Sequence, residues 1–150
     1  KRLVLTKGIR GLVIDPWNEL EHVRKNGQTE TEYISVALKR IRQFGRKYGI
    51  HIWVVAHPAK MYRDVKGKLP IPTLYDISGS ARWRDKSDNG IVIWRDMTPE
   101  SKGCIIQVHV QKIRFRQDGK NGVEELSYNW RLGTYHLPSR ATKEIPPTYG

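Results

Sequence analysis

Three places in this 150-residue chain hold residues whose type and position could handle phosphate chemistry. Asp15 ends the apolar run Gly-Leu-Val-Ile-Asp at 11–15. A carboxylate at the carboxyl end of a buried strand can hold Mg²⁺ through a water, because ligands of open α/β sheets gather at that edge. Apolar strands ending in Asp are common, and Asp15 could equally cap the next turn. His57 ends a second apolar run, Trp-Val-Val-Ala-His at 53–57. If the two strands are neighbours, His57 lies near Asp15 and can sense a γ-phosphate. The plain alternative is a strand-end His bonded to the backbone. Lys112 and Arg114 stand two apart and so share a strand face. On a stiff hairpin such a pair can reach a phosphate held by a neighbouring subunit, or can form a solvated basic face.

A fourth group is cationic. Residues 58–72 hold Lys60, Arg63, Lys66 and Lys68 among three prolines and a glycine, with Tyr62 between them. A mobile basic loop of this kind contacts phosphodiester backbones, and an aromatic side chain can stack on a base. It could also be ordinary solvated surface. The whole chain leans the same way: Lys and Arg number 27 against 15 Asp and Glu, a formal charge of +12. That excess excludes an acidic or neutral fold and points to a polyanionic partner. The lone cysteine, Cys104, excludes an internal disulfide framework and a Cys-rich zinc site, and fits a reducing compartment. No apolar run approaches the ~18 residues of a membrane span, and the basic N-terminus lacks the apolar core of a signal peptide. Residue 1 is Lys, so the chain reads as trimmed or cut from something longer.

The elements that must position these groups are legible in outline. Residues 9–15 and 50–56 read as buried strands. Between them, 16–27 reads as a loop with at most a short helical turn. Residues 29–48 form the best helix: Thr29 and Glu32 make a capping box, apolar residues recur at helical spacing, and Gly49 is a stop. Strand, helix, strand is a right-handed βαβ unit with parallel strands. A short helix interrupted by Gly79 is expected over 73–86, a turn at Asn89-Gly90, and a strand at 91–94. Residues 104–115 alternate as a half-exposed strand, 117–122 forms a hairpin turn, and 123–130 returns, with a further short strand at 132–137. Trp53 and Trp94 are expected in the core, and Trp83 and Trp130 half buried. Asp85 and Asp88 look like caps or surface ion-pair partners, and His22, His51, His109 and His136 show no ligand spacing. The tail 138–150 is expected to be flexible. The expected fold class is α/β, a three-layer domain with a mixed sheet.

The succession of Leu-Val-Ile-Asp (12–15), VVAHPAK (54–60), DISGSARWRDKSDNGIVIWRD (76–96) and VQKIRFRQDGKNG (110–122) resembles the C-terminal half of the RecA-like motor domain of DnaB-family hexameric replicative helicases. Within that family the chain is most similar to the Twinkle and phage primase-helicase branch, over residues 9–137. The resemblance implies a RecA-like αβα core of the P-loop NTPase class with a C-terminal β-hairpin, spanning 1–137. It implies that Asp15 is the Walker B aspartate at the Mg²⁺ hydration shell and that His57 is the γ-phosphate sensor. It places residues 58–72 in a central-channel loop on single-stranded DNA, with Ser78 and Gly79 in the Gly-Ser stretch that follows. It makes Lys112 and Arg114 the pair that crosses the subunit interface, Arg114 being the arginine finger. ATP and Mg²⁺ would be bound in the complete protein, a homo-hexamer threaded on single-stranded DNA. No membrane partner is expected. The location implied is the cytoplasm of a bacterial or phage-infected cell.

The chain departs from the family pattern in one decisive way. No Gly-x-x-x-x-Gly-Lys-Ser/Thr occurs; the Gly-Lys steps are Gly67-Lys68 and Gly119-Lys120, without the upstream glycine or a following hydroxyl residue. The glutamate expected between the P-loop and Walker B has no counterpart, since Glu19 lies past Asp15. The chain starts about where the strand before Walker B would be finishing. It therefore reads as a fragment, with the N-terminal P-loop part missing, that does not hydrolyse ATP alone. Pro16, Trp17 and Asn18 follow Asp15 where many relatives differ, and Asn18 could still reach the nucleotide. Two other readings stay open: a RecA- or recombinase-type ATPase fragment, and a non-enzymatic single-stranded DNA-binding module that kept the fold. A purely structural role is the bland fourth.

Overall fold

The computed structural model describes residues 1–65, 67–79, 81–95, 97 and 105–138. In chain order the elements are α1 (Arg2–Lys7), β1 (Gly11–Ile14), α2 (Glu30–Tyr48), β2 (His51–Val54), α3 (Arg82–Lys86), β3 (Asn89–Arg95), β4 (Ile105–Ile113), β5 (Gly122–Asn129) and β6 (Thr134–His136). Short 3₁₀ turns stand at Trp17–Glu19 and Arg116–Asp118. The chain divides into two compact units. One comprises Lys1–Ala59 and Leu74–Ser87, the other Lys60–Thr73 and the chain from Asp88 onward.

The first unit is built on the βαβ crossover. Thr29 starts α2 with a reciprocal capping box: its hydroxyl accepts from the Glu32 N–H, and the Glu32 carboxylate accepts from the Thr29 N–H. Those bonds favour the ionised form and hold the Glu32 carboxyl below the usual range, the backbone bond from Thr29 first. Gly49 ends the helix at φ 60°, a left-handed cap that any Cβ would strain. The chain then turns straight into β2, which lies parallel to β1 in the register Gly11↔His51 to Ile14↔Val54. Ile34 and Leu38 of α2 bury their side chains with Trp17 and Trp83, and Val54, Ala56 and Ile77 pack against that cluster.

The expectation that both strands are buried fails on one face. Ile14, Ile52 and Val54 are at least partly covered, whereas Val13, Trp53 and Val55 are 62%, 51% and 38% exposed. Side chains alternate across a sheet, and among the described residues only one face of this pair carries a packed layer. Trp53 is therefore not a core residue, and Trp83, expected half buried, is 5% exposed. The N-terminal segment, expected to end a strand, forms α1, closed by Gly8 at φ 61°.

The helix expected over 73–86 is shorter, since α3 begins only at Arg82. Gly79 lies ahead of it at φ +88°, and an added Cβ would stand 2.6 Å from Ile34 Cδ1 and 2.6 Å from Glu30 Oε1. Thr31 Oγ1 also donates to the Gly79 carbonyl at 3.4 Å. Close approach to α2 thus requires glycine here.

The second unit is an antiparallel meander, β3-β4-β5-β6. Asn89-Gly90 is not a turn: it opens β3, and the register shifts at Gly90/Ile91, so that Gly90 faces Lys112 and Ile91 faces Val110. Gln111 is the extra residue of that bulge, and its amide donates to the Pro72 carbonyl at 2.8 Å. Trp94 and Ile106 bury into the sheet, Trp94 as expected. Trp130 stays 36% exposed. The β4–β5 connection is longer than a tight turn. It contains the 3₁₀ turn and is braced by Asn121, whose amide donates to the Gln111 carbonyl at 3.1 Å. Cys104 and residues 139–150 of the expected tail lie outside the described residues.

Replacing Gly79 with Ala should cost about 1–3 kcal/mol of stability, since it adds backbone strain and overpacks against Ile34. Thermal or urea unfolding measures it. An unchanged midpoint would show that the approach to α2 is not tight.

Candidate functional site

The edge of the β1–β2 pair is set by the main chain. The Val55 N–H donates to the Ile14 carbonyl at 2.8 Å, and the Trp17 N–H donates to the Val55 carbonyl at 2.7 Å. Pairing thus continues past the last residue of each strand. Asp15 leaves β1 at the edge from which His57 leaves β2, as expected of neighbouring parallel strands, and both residues are exposed.

Beneath Asp15 the chain is anchored by aromatic packing. The Trp17 ring meets Trp83 edge-on at 5.2 Å and His22 at 4.8 Å. His22 Nε2 lies 3.1 Å from the Trp17 carbonyl and Nδ1 lies 3.1 Å from the Tyr33 hydroxyl. A carbonyl can only accept, so Nε2 carries the proton, and in the neutral ring Nδ1 accepts from Tyr33. His22 thereby ties the turn after Asp15 to α2. Asn18 sits exposed in that turn.

His57 is tied to the segment expected beside DNA. Its carbonyl accepts from the Ser78 N–H at 3.2 Å, Pro58 bridges Ile77 in antiparallel fashion, and the Ala59 N–H donates to the Asp76 carbonyl at 2.6 Å. The Trp83 indole donates to the Ser78 carbonyl at 3.3 Å, which pins this ladder to the core. Ser78 is exposed and Gly79 is half-buried against α2.

The basic loop has local order of its own. Asp64 closes a turn: its N–H donates to the Lys68 carbonyl at 2.9 Å, and its carboxylate accepts from the Lys68 N–H at 2.8 Å. The Arg63 guanidinium donates to the Gly67 carbonyl at 2.6 Å. Lys60 lies 5.9 Å from the centre of the Tyr62 ring, and Lys68 lies 5.1 Å from that of Trp94. A groove of about 300 Å³ runs along the loop between Tyr62 and Ile71. Lys66 lies outside the described residues.

Lys112 is half-buried in β4 opposite Gly90. Arg114 stands one residue past β4, where its N–H donates to the Asp88 carbonyl at 2.9 Å and its guanidinium Nε pairs with the Asp88 carboxylate. The two cations belong to the second unit, Asp15 and His57 to the first.

Among the described residues no group of three or more His, Cys, Asp or Glu could enclose a metal ion. Asp15 offers one exposed carboxylate. That donor set suits a hydrated Mg²⁺ touched through its waters, since Mg²⁺ sheds water reluctantly. His57 offers an imidazole N–H at the same edge, suited to a phosphate oxygen. Sequence reasoning gave no role to His22, which carries no ligand spacing, and took Asp88 for a cap or surface pair. The signal for Asp88 was its place at the mouth of a strand antiparallel to the one that ends at Arg114.

Comparison with known proteins comes down on one family. No family model matches the chain. It is 44% identical over 155 residues to the Twinkle homolog protein, chloroplastic/mitochondrial, of Arabidopsis thaliana, across 99% of this chain and 21% of that protein. The chain thus spans about a fifth of the relative's length. Two solved structures share its fold. One is an isolated ATPase domain (TM-score 0.65, 18% identity, 86% of this chain and 44% of that one). The other is a DnaB-like replicative helicase, solved to show its interactions with primase (TM-score 0.66, 21% identity, 86% of this chain and 31% of that one). With a Twinkle homologue matched along nearly its whole length, and a backbone shared with an ATPase domain and a DnaB-like helicase, the chain belongs to the DnaB and Twinkle family as a RecA-like segment.

Proposed function

We propose that this chain is the part of a ring-shaped replicative DNA helicase that carries the Walker B aspartate, the γ-phosphate sensor, the DNA loop and the arginine finger. One observation carries the reading: Asp15 and His57 leave adjacent parallel strands at one edge, and the His57 carbonyl is bonded directly to Ser78 at the neck of the basic loop. The partly bare β1–β2 face fits a segment of a larger motor domain.

The substrate is ATP, bound between subunits of a homo-hexamer, with single-stranded DNA in the central channel. Mg²⁺, when bound, neutralises charge on the phosphates. The Asp15 carboxylate accepts hydrogen bonds from the ion's waters and orients them. The His57 imidazole donates to a γ-phosphate oxygen and loses that contact when the phosphate leaves. A shift of His57 moves its own carbonyl, and with it the ladder to Asp76–Ser78. That ladder is the neck of residues 60–73, so the state of the phosphate reaches the DNA loop through main-chain bonds. Lys60, Arg63, Lys66 and Lys68 neutralise DNA phosphates there, Tyr62 stacks on a base, and Ser78 and Gly79 line the adjoining channel wall. Asn18 stands near enough in sequence to Asp15 to contact the nucleotide. Lys112 and Arg114 stabilise the charge that develops on the phosphates of the neighbouring subunit's ATP.

The chain holds no P-loop motif, which favours one second reading: a RecA-fold module that binds single-stranded DNA without nucleotide chemistry. The Lys-x-Arg hairpin weighs against that reading and against a recombinase-type ATPase. The proposed compartment is the cytoplasm of a bacterial or phage-infected cell, with an organelle as the alternative that the plant relative's name raises.

Two outcomes follow. The isolated chain, lacking the phosphate cradle, should show no DNA-stimulated ATP hydrolysis in a phosphate-release assay; steady turnover would contradict the assignment of its parts. Its affinity for single-stranded DNA should fall with salt. Changing Lys60, Arg63, Lys66 and Lys68 together to Ala should flatten the log–log slope by about 3, at ~0.7 per phosphate contact. An unchanged slope would remove the loop from the DNA interface.

A further inference from the structure

The arginine finger proposed above has a partner on the neighbouring strand. Asp88 and Arg114 face each other one rung beyond the pair Asn89↔Ile113, joined by the Arg114 N–H to the Asp88 carbonyl at 2.9 Å. On the same rung the Arg114 Nε pairs with Asp88 Oδ1, an oxygen buried from solvent. The side chains are 31% and 36% exposed, so the pair sits at the surface while its contact atom does not. Opposite charges directly across an antiparallel pair attract at short range, and burial of the oxygen reduces screening.

The geometry points to Asp88 as the residue that positions the finger. A long guanidinium side chain loses rotamer freedom when it is ordered. A finger that reaches a phosphate in another subunit must lose it during the reaction unless it is ordered beforehand. A carboxylate at Nε fixes the root of the guanidinium and hence the direction of its fork, which carries five donors. A releasable latch is the opposite device, and the backbone argues against it. The ladder bond keeps Asp88 beside Arg114 in every state that preserves the sheet, so the carboxylate is a standing support. Asp88 touches neither substrate nor reacting atoms; it acts through Arg114.

This inference rests on the reading of Arg114, and the test separates the two. In the full-length, DNA-stimulated ATPase, Arg114→Ala should abolish most turnover. Asp88→Asn, nearly isosteric, should lower kcat by about tenfold or more, the scale at which second-layer partners act, with KM for ATP within about twofold. Asp88→Glu should recover part of the rate. The double variant should be no worse than Arg114→Ala alone, because the two side chains act as a unit. Thermal unfolding of each variant runs alongside. If Arg114→Ala leaves turnover intact, the finger assignment falls and the inference with it. If Arg114→Ala abolishes turnover but Asp88→Asn changes only the melting midpoint, or raises kcat as release of a latch would, the finger stands and the positioning role of Asp88 is wrong.

Discussion

The parallel register between β1 and β2 is the constraint on which the rest of the site depends. It runs from Gly11↔His51 to Ile14↔Val54 and is prolonged by the bonds between Val55 and Ile14 and between Trp17 and Val55. A slip of one residue would turn Ile52 and Val54 away from α2 and carry Asp15 out of step with His57. What prevents the slip is packing. Val54 and Ala56 lie against a cluster of Trp17, Ile34, Leu38 and Trp83, and the helix that supplies two of those residues is fixed at both ends by its capping box and by Gly49. The site is therefore determined from beneath, by apolar burial, while its polar groups remain open.

From that edge the structure works outward through hydrogen bonds. His57 to Ala59 pair with Asp76 to Ser78, and the Trp83 indole holds the second strand of this small ladder. Main-chain bonds between short segments transmit displacement without a large rearrangement, since each residue has few free torsions. The sensor and the loop neck are thus one mechanical piece. The β3–β4–β5 meander plays the corresponding part for the cations, giving Lys112 and Arg114 a stiff support to which Gln111 also ties the end of the basic loop.

Much of this was legible in the sequence where the signal was local. The capping box, the α2 period, the glycine stop and the apolar runs each follow from residue chemistry within one turn or one strand, and the βαβ reading followed from their order. Non-local facts were hidden. The exposure of Val13 and Trp53 depends on what packs over a sheet face, and β-branched runs read alike whether covered once or twice. Asn89-Gly90 carries turn chemistry, yet it opens β3 because β4 supplies a partner for it across a bulge. The same bulge shifts the register by one, so counting residues could not pair Asp88 with Arg114. His22 had no spacing to betray it, because its partners are a hydroxyl and a carbonyl brought in by folding.

The central claim is that one ATP site is assembled from Asp15 of one subunit and Arg114 of the next. The most direct measurement mixes two inactive full-length variants, Asp15→Asn and Arg114→Ala, and follows DNA-stimulated ATP hydrolysis against their ratio. A shared site predicts that activity reappears on mixing and peaks near equal amounts, because some interfaces then join an intact Asp15 to an intact Arg114. Activity that stays absent at every ratio, with mixed rings shown to form, would contradict it and place both residues in one subunit's own chemistry.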